Sequence, residues 1–163
     1  MKHKMNNLRK DTNLVIIAFL TVSALTFGEL LEQIVFVPNW LIGNVDENLE
    51  HFRKFKHTTD PGMFYFPLTI VAIISHAMLL GKKSILTVEQ KKNVKHSLFL
   101  FLAVFLVTIY VIVFINVPVI DMGTLSGEAQ ESKIVIWAIL NMFRIILPAI
   151  GLYKLSKLFT IKQ

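Results

Sequence analysis

Leu14–Val37 reads LVIIAFLTVSALTFGELLEQIVFV. The run exceeds the roughly 20 apolar residues that a helix needs to cross a bilayer core. Its second half nevertheless carries Glu29, Glu32 and Gln33. Offsets of three and four put these residues on one helical face. A carboxylate inside a membrane is costly, and it faces a protein interior or a wet cavity. The stretch therefore predicts a spanning helix and, elsewhere in the chain, partners for its polar face.

Three further apolar runs follow. Together they predict an all-α fold, a four-helix transmembrane bundle. The 163 residues form a single integral membrane domain with spans at about 14–37, 63–80, 97–119 and 134–158. The chain is 54% hydrophobic and 17% charged, with a mean hydropathy of +0.60. Apolar residues gathered in long runs exclude a large soluble core. The net charge of +6 does not point to nucleic acid, because the basic residues sit at the ends of apolar runs. There they meet headgroups and set topology. The absence of cysteine excludes a disulfide frame, a thiolate metal site and a cysteine nucleophile. Lys2, Lys4, Arg9 and Lys10 precede the first run as in a signal peptide. The run is longer than a signal core and passes Val22-Ser23-Ala24 into more apolar sequence, so it reads as a retained helix.

The connectors carry their own signals. Pro38 is expected to end the first span, and Trp40 beyond it to mark an interface. Within Asn44–His57, Val45, Leu49 and Phe52 follow i, i+4, i+7 spacing among Asp46, Glu47, Glu50, Arg53 and Lys54. This pattern predicts a short interfacial helix in the first outer loop, on the bilayer surface or capping the bundle. Asp60-Pro61-Gly62 is a turn signal. The 81–96 segment reads as a basic loop and 120–133 as an acidic connector. At and beyond the ends of the spans, twelve Lys and Arg fall on the side of the termini and the 81–96 loop, against four on the other. That bias predicts both termini in the cytoplasm and suits a bacterial inner membrane.

Each later span adds polar groups. The second has Thr69 and His76, and the third has Thr108, Tyr110 and Asn116. In the fourth, Trp137, Asn141, Arg144, Pro148 and Gly151 follow a 4-3-4-3 spacing and form one stripe. Counting helical rise from the outer ends puts Glu29 about 12 Å, His76 about 16 Å and Tyr110 about 14 Å deep. The same count puts Asn141 about 10 Å and Arg144 about 15 Å deep. A buried catalytic cluster of Glu29, His76, Asn141 and Arg144 is therefore expected, with Glu32, Tyr110 and Trp137 as its substrate-binding margin. The Arg144 fork is the natural partner of the Glu29 carboxylate. With Glu29 so engaged, His76 is the better proton acceptor. Set against this, a buried ion pair often holds helices in register without catalysing anything. A lone histidine is more often a hydrogen-bonded bundle residue than a ligand.

No cofactor is predicted, and metal remains a minority reading. Glu29, Glu32 and His76 could supply a set suited to iron, zinc or manganese. The chain lacks the Glu-x-x-His motif of ferritin-like sites, and Arg144 would repel a cation. His51 and His57 with Glu47 and Glu50 make a second, outer set without diagnostic spacing. Nucleotide loops, a nucleophile elbow and zincin motifs are absent from the sequence.

Glu29-Leu30-Leu31-Glu32, Pro38-Asn39-Trp40, Asp60-Pro61-Gly62 with Phe64 and Pro67, and Asn141-x-x-Arg144 also carry a resemblance. They resemble small bacterial four-span membrane proteins similar to the anthrone-oxygenase-like superfamily. The resemblance covers most of the chain, through short motifs. It implies a four-helix membrane bundle that oxidises a flat, apolar aromatic substrate without bound flavin or haem. Glu29, Glu32, Asn141 and Arg144 match its motifs, and His76 does not.

The expectation is thus a small membrane enzyme, oxygenase- or oxidoreductase-like, acting on a lipophilic phenolic or quinone-type molecule. His76 or Glu29 would take a proton, and Arg144 and Asn141 would stabilise an oxyanion. The rivals are a small-molecule, proton or ion binding or transport protein and a non-catalytic membrane subunit. The expected partners are the lipid bilayer and a lipophilic small molecule. A homo-oligomer is an open option, and nucleic acid is not expected.

Overall fold

The computed structural model describes residues 2–56, 61–81, 84 and 86–159, with side chains from residue 10 onward. The Asp60 part of the turn, His57 of the outer histidine set and Lys82, Lys83 and Lys162 lie outside the described residues. Six α-helices follow in order: α1 (Lys2–Leu31), α2 (Val37–Leu41), α3 (Val45–Phe55), α4 (Gly62–Leu80), α5 (Val88–Val111) and α6 (Gly127–Ser156). Four continuous helical stretches are long and apolar enough to cross a membrane: Lys10–Leu41, Gly62–Leu80, Val88–Asp121 and Gly127–Ser156. The chain is an all-α four-helix bundle and an integral membrane protein.

The first helix runs past the end that its proline predicts, and α5 continues through a proline of its own. A wide π-helical turn, Glu32–Phe36, joins α1 to α2 without a break, so Pro38 does not stop the first span. Another, Ile112–Asp121, extends α5 through Pro118. Proline has no N–H and its ring crowds the carbonyl four residues back. Widening the helix just before the ring relieves that crowding and leaves the chain helical. Where this helix ends, the Pro118 carbonyl accepts from the Thr124 backbone N–H at 2.9 Å and from the Thr124 hydroxyl at 2.7 Å.

At the end of the bundle nearer the chain termini, called the inner end whatever its side of the membrane, α5 begins nine residues before the expected 97. Thr87 and Gln90 form a reciprocal capping box at 2.9 and 3.2 Å, which starts the helix at Val88. Lys91, Lys92 and Lys95 therefore lie on helical turns, not in a loop.

In the ring, α1 packs against α4 and α6, and α5 packs against α6 and, more loosely, α4. The diagonal pairs α1–α5 and α4–α6 do not meet among the described residues. The inner half closes tightly around Val15, Ala18, Leu79, Val94 and Leu155. The outer half is capped by α3. Asn44 accepts from the backbone N–H of Asp46 and Glu47 at 3.0 and 3.2 Å, which satisfies the helix start. Val45 and Leu49 are buried beneath α3. Asp46 accepts from the Gln130 amide at 2.6 Å and the Gly127 N–H at 3.0 Å. Arg53 donates to the Val119 carbonyl at 3.3 Å, and Lys56 pairs with Asp121 at 2.5 Å. Of the two placements open to this amphipathic helix, the chain adopts the cap.

Candidate functional site

The polar face of the first span does find partners. Glu29 and Glu32 are both buried. Arg144 Nη2 donates to Glu29 Oε1 in a buried ion pair between α1 and α6. Asn141 Nδ2 donates to the Glu29 carbonyl at 3.0 Å and to Gln33 Oε1 at 3.1 Å. The predicted α6 stripe of Trp137, Asn141, Arg144, Pro148 and Gly151 is buried along its whole length.

Beside this pair lies a cavity of about 350 Å³. Glu29, Glu32 and Arg144 form its polar wall, together with Tyr65 of α4 and Asn116 of the wide turn after α5. The remaining walls are apolar and largely aromatic: Phe36, Trp40, Phe52, Phe101, Phe105 and Trp137. Trp40 is packed edge-on against Trp137 and Phe52, with centroids 4.9 and 5.1 Å away. It is a buried wall residue beneath α3, not the interface marker its position suggests. Trp137 Nε1 donates to Asn116 Oδ1 at 2.9 Å, and the Arg144 guanidinium lies 5.9 Å over the Trp137 ring.

Four buried side-chain atoms of this region have no hydrogen-bond partner and almost no accessible surface, so they lie behind the cavity lining: Glu29 Oε2, Arg144 Nε, Trp40 Nε1 and Asn141 Oδ1. Nearly every buried polar group in a folded protein is paired. Two unmet acceptors and two unmet donors gathered in one region mark a part of the bundle whose polar groups the chain alone does not satisfy. The Glu29–Arg144 fork is closed on one side only, so the unused oxygen and the unused N–H belong to the two halves of one ion pair.

The structure gathers Glu29, Glu32, Trp137 and Arg144 at the cavity, with Asn141 directly behind Glu29. His76 and Tyr110 lie elsewhere. His76 is fully buried in the inner half, its Nδ1 donating to the Ala72 carbonyl at 2.7 Å. Nε2 of the neutral ring then accepts from the Ser97 hydroxyl at 3.1 Å. The expected joint cluster fails because α1 and α4 are out of step at their outer ends. α1 and its continuation run 13 residues past Gly28 to Leu41, roughly 20 Å. The residue of α4 that meets Gly28 is Tyr65, near that helix's start. His76, eleven residues on from Tyr65, therefore lies roughly 16 Å deeper. Tyr110 is 44% exposed and stacks on Phe114. It is two residues from the cavity-lining Thr108, about 200° around the helix.

Tyr65 is the site residue the spacing argument missed. Its hydroxyl hydrogen-bonds to the Glu32 carboxylate. Its ring fits against Gly28, where a Cβ would fall 2.8 Å from the hydroxyl and 2.9 Å from Cε1. The signal was present, since Tyr65, Thr69, Ala72 and His76 follow i, i+4, i+7, i+11 on one face. The metal set of Glu29, Glu32 and His76 is not assembled, and no group of three or more His, Asp or Glu is placed to hold an ion among the described residues.

Comparison with known proteins finds no family model, no curated protein and no solved structure that matches the chain.

Proposed function

We propose that this protein is a small membrane enzyme of oxygenase or oxidoreductase type, acting on a lipophilic phenolic or quinone-type molecule. The observation that carries the reading is the aromatic-walled cavity of about 350 Å³ with two buried carboxylates and an arginine on its polar wall. A volume of this order takes a fused-ring or substituted single-ring molecule. The aromatic walls suit a flat, apolar body, and the polar wall suits an oxygen-bearing head.

The roles follow from placement. Glu32, beside the Tyr65 hydroxyl, takes the proton from an acidic C–H or O–H of the bound molecule. The Arg144 guanidinium, on the polar wall, stands beside the oxygen on which negative charge develops. A fixed cation acts more strongly there than in bulk water. Asn141 positions Glu29, and Glu29 holds the guanidinium. The resemblance to the anthrone-oxygenase-like superfamily supplies the reaction class. Dioxygen is the oxidant: an activated CH₂ becomes a carbonyl with one oxygen atom, and the other leaves as water. Four electrons pass from carbon to oxygen, so this chemistry balances without a flavin or haem. The charge bias favours both termini in the cytoplasm and suits a bacterial inner membrane.

The test is oxygen uptake by protein reconstituted in lipid vesicles, offered a panel of lipophilic phenols, hydroquinones and fused-ring ketones. Substrate-dependent uptake that disappears in Glu32→Gln, with that variant still folded, supports the reading. A folded wild-type protein that binds none of the panel and consumes no oxygen overturns it.

A further inference from the structure

The cavity has an outer end, an inner end and four sides, and they are not equally closed. The outer end is covered by α3, which is fastened to the segment around Val119–Gln130 through Asp46, Arg53 and Lys56. The inner end is shut by the packed inner half of the bundle. Three of the four sides are closely packed helix pairs, and the fourth, between α4 and α5, is the loosest contact in the ring. Phe66 of α4 and Phe105 of α5 line the cavity and yet keep 70% and 38% of their surface accessible. A side chain that lines a cavity and keeps most of its surface accessible, as Phe66 does, marks an opening.

Among the described residues, the hydrogen bonds that cross the seam lie at its deep end. There His76 of α4 meets Ser97 of α5 at 3.1 Å, both side chains fully buried. Ser97 in turn lies against Gly151 of α6, where a Cβ would be 3.1 Å from its hydroxyl oxygen. Small residues that allow close helix approach, together with a buried interhelical hydrogen bond, are how helices are held together in lipid. Above that fastening, Tyr65, Phe66 and Thr69 of α4 and Phe101, Phe105 and Thr108 of α5 line the cavity.

We infer that the α4–α5 seam is a side entrance through which an apolar aromatic molecule dissolved in the bilayer reaches the cavity, with Phe66 and Phe105 as its jambs. This rests on the cavity being the ligand site proposed above, but concerns only the route. Lipid surrounds the seam at this level, so a molecule using it never has to leave the bilayer. His76 acts here as the pin that keeps the inner half of the seam shut.

The chain offers a built-in probe. Its only two tryptophans, Trp40 and Trp137, both line the cavity. In vesicles, quenching of their fluorescence by bromonaphthalene dissolved in the bilayer reports access from lipid. Iodide in the aqueous phase reports access from water. Strong quenching by bromonaphthalene, with several-fold weaker quenching by iodide, is expected. Phe66→Ala and Phe105→Ala should increase the bromonaphthalene effect, and Phe55→Ala, on the exposed face of α3, should leave it unchanged. Quenching by iodide equal to or greater than that by bromonaphthalene overturns the side entrance. So does a bromonaphthalene effect indifferent to both seam substitutions. Bromonaphthalene has no polar head, so the experiment does not depend on turnover. Lipid-side quenching without oxygen uptake keeps the route and removes the enzyme. Oxygen uptake with water-side quenching does the reverse.

Discussion

His76 and Glu29 are both titratable side chains buried within apolar helices, and they sit in opposite halves of the bundle. Around His76 the chain packs closely, and both ring nitrogens have partners. Around Glu29 two helices widen into π-turns, a cavity opens, and atoms of both members of the ion pair are left over. The difference separates two uses of a polar group in a membrane protein. A satisfied group fastens helices, whereas an unsatisfied one beside empty space is poised for a ligand.

The largest way to break this contrast is to remove one half of the buried pair. Arg144→Met leaves Glu29 without its counter-charge and should cost about 3–5 kcal/mol in denaturant unfolding. Adding Glu29→Gln to that variant should recover much of the loss, because an unpaired buried charge is worse than none. A double variant no more stable than Arg144→Met would mean that the pair does not act as a unit.

His76→Ala should cost about 1–3 kcal/mol, because it removes a buried hydrogen bond and leaves Ser97 unpartnered. Binding of a lipophilic ligand to the outer cavity should be unchanged. A fall in binding with stability intact would move His76 from fastening to function.

The same substitution in each half sharpens the comparison further. Gly28→Ala drives a Cβ into the Tyr65 ring and hydroxyl, so the ring must leave Glu32. Ligand affinity should fall about tenfold, or ~1.4 kcal/mol. Gly151→Ala meets the Ser97 hydroxyl instead and should lower stability by about 1 kcal/mol with affinity preserved. Paired unfolding and ligand titrations would show whether the two effects separate.

The smallest effect belongs to the exposed surface. Lys54 holds the Glu50 carboxyl below its usual range, first by a hydrogen bond and then by its charge. A depressed folded-state value adds stability above the unfolded value and loses it as pH falls through the folded one. The pair is solvent-exposed at i, i+4, so Lys54→Ala should leave unfolding from pH 7 down to pH 4 unchanged within error.

Much of this was legible in the sequence. Runs long enough to span, carboxylates at three-residue spacing and the 4-3-4-3 stripe of α6 required only helical periodicity. The partnership of Glu29 with Arg144 followed from the cost of a lone charge in lipid. The helix ends were less legible, because proline stops a helix in water but can be absorbed by a wide turn, as at Pro38 and Pro118. The level of each polar group was the weakest inference. It assumed that the four spans end in one plane, whereas α1 and its continuation outreach α4 under the α3 cap. That offset brought Tyr65 to the cavity in place of His76.

The most direct measurement is native mass spectrometry of detergent-purified wild-type protein beside the Arg144→Met/Glu29→Gln and His76→Ala variants. The account predicts a co-purifying aromatic or quinone-type molecule on the wild type and on His76→Ala, and its loss when the outer pair is removed. A wild-type protein that is reproducibly empty, or a molecule retained without the pair and lost with His76, would contradict it.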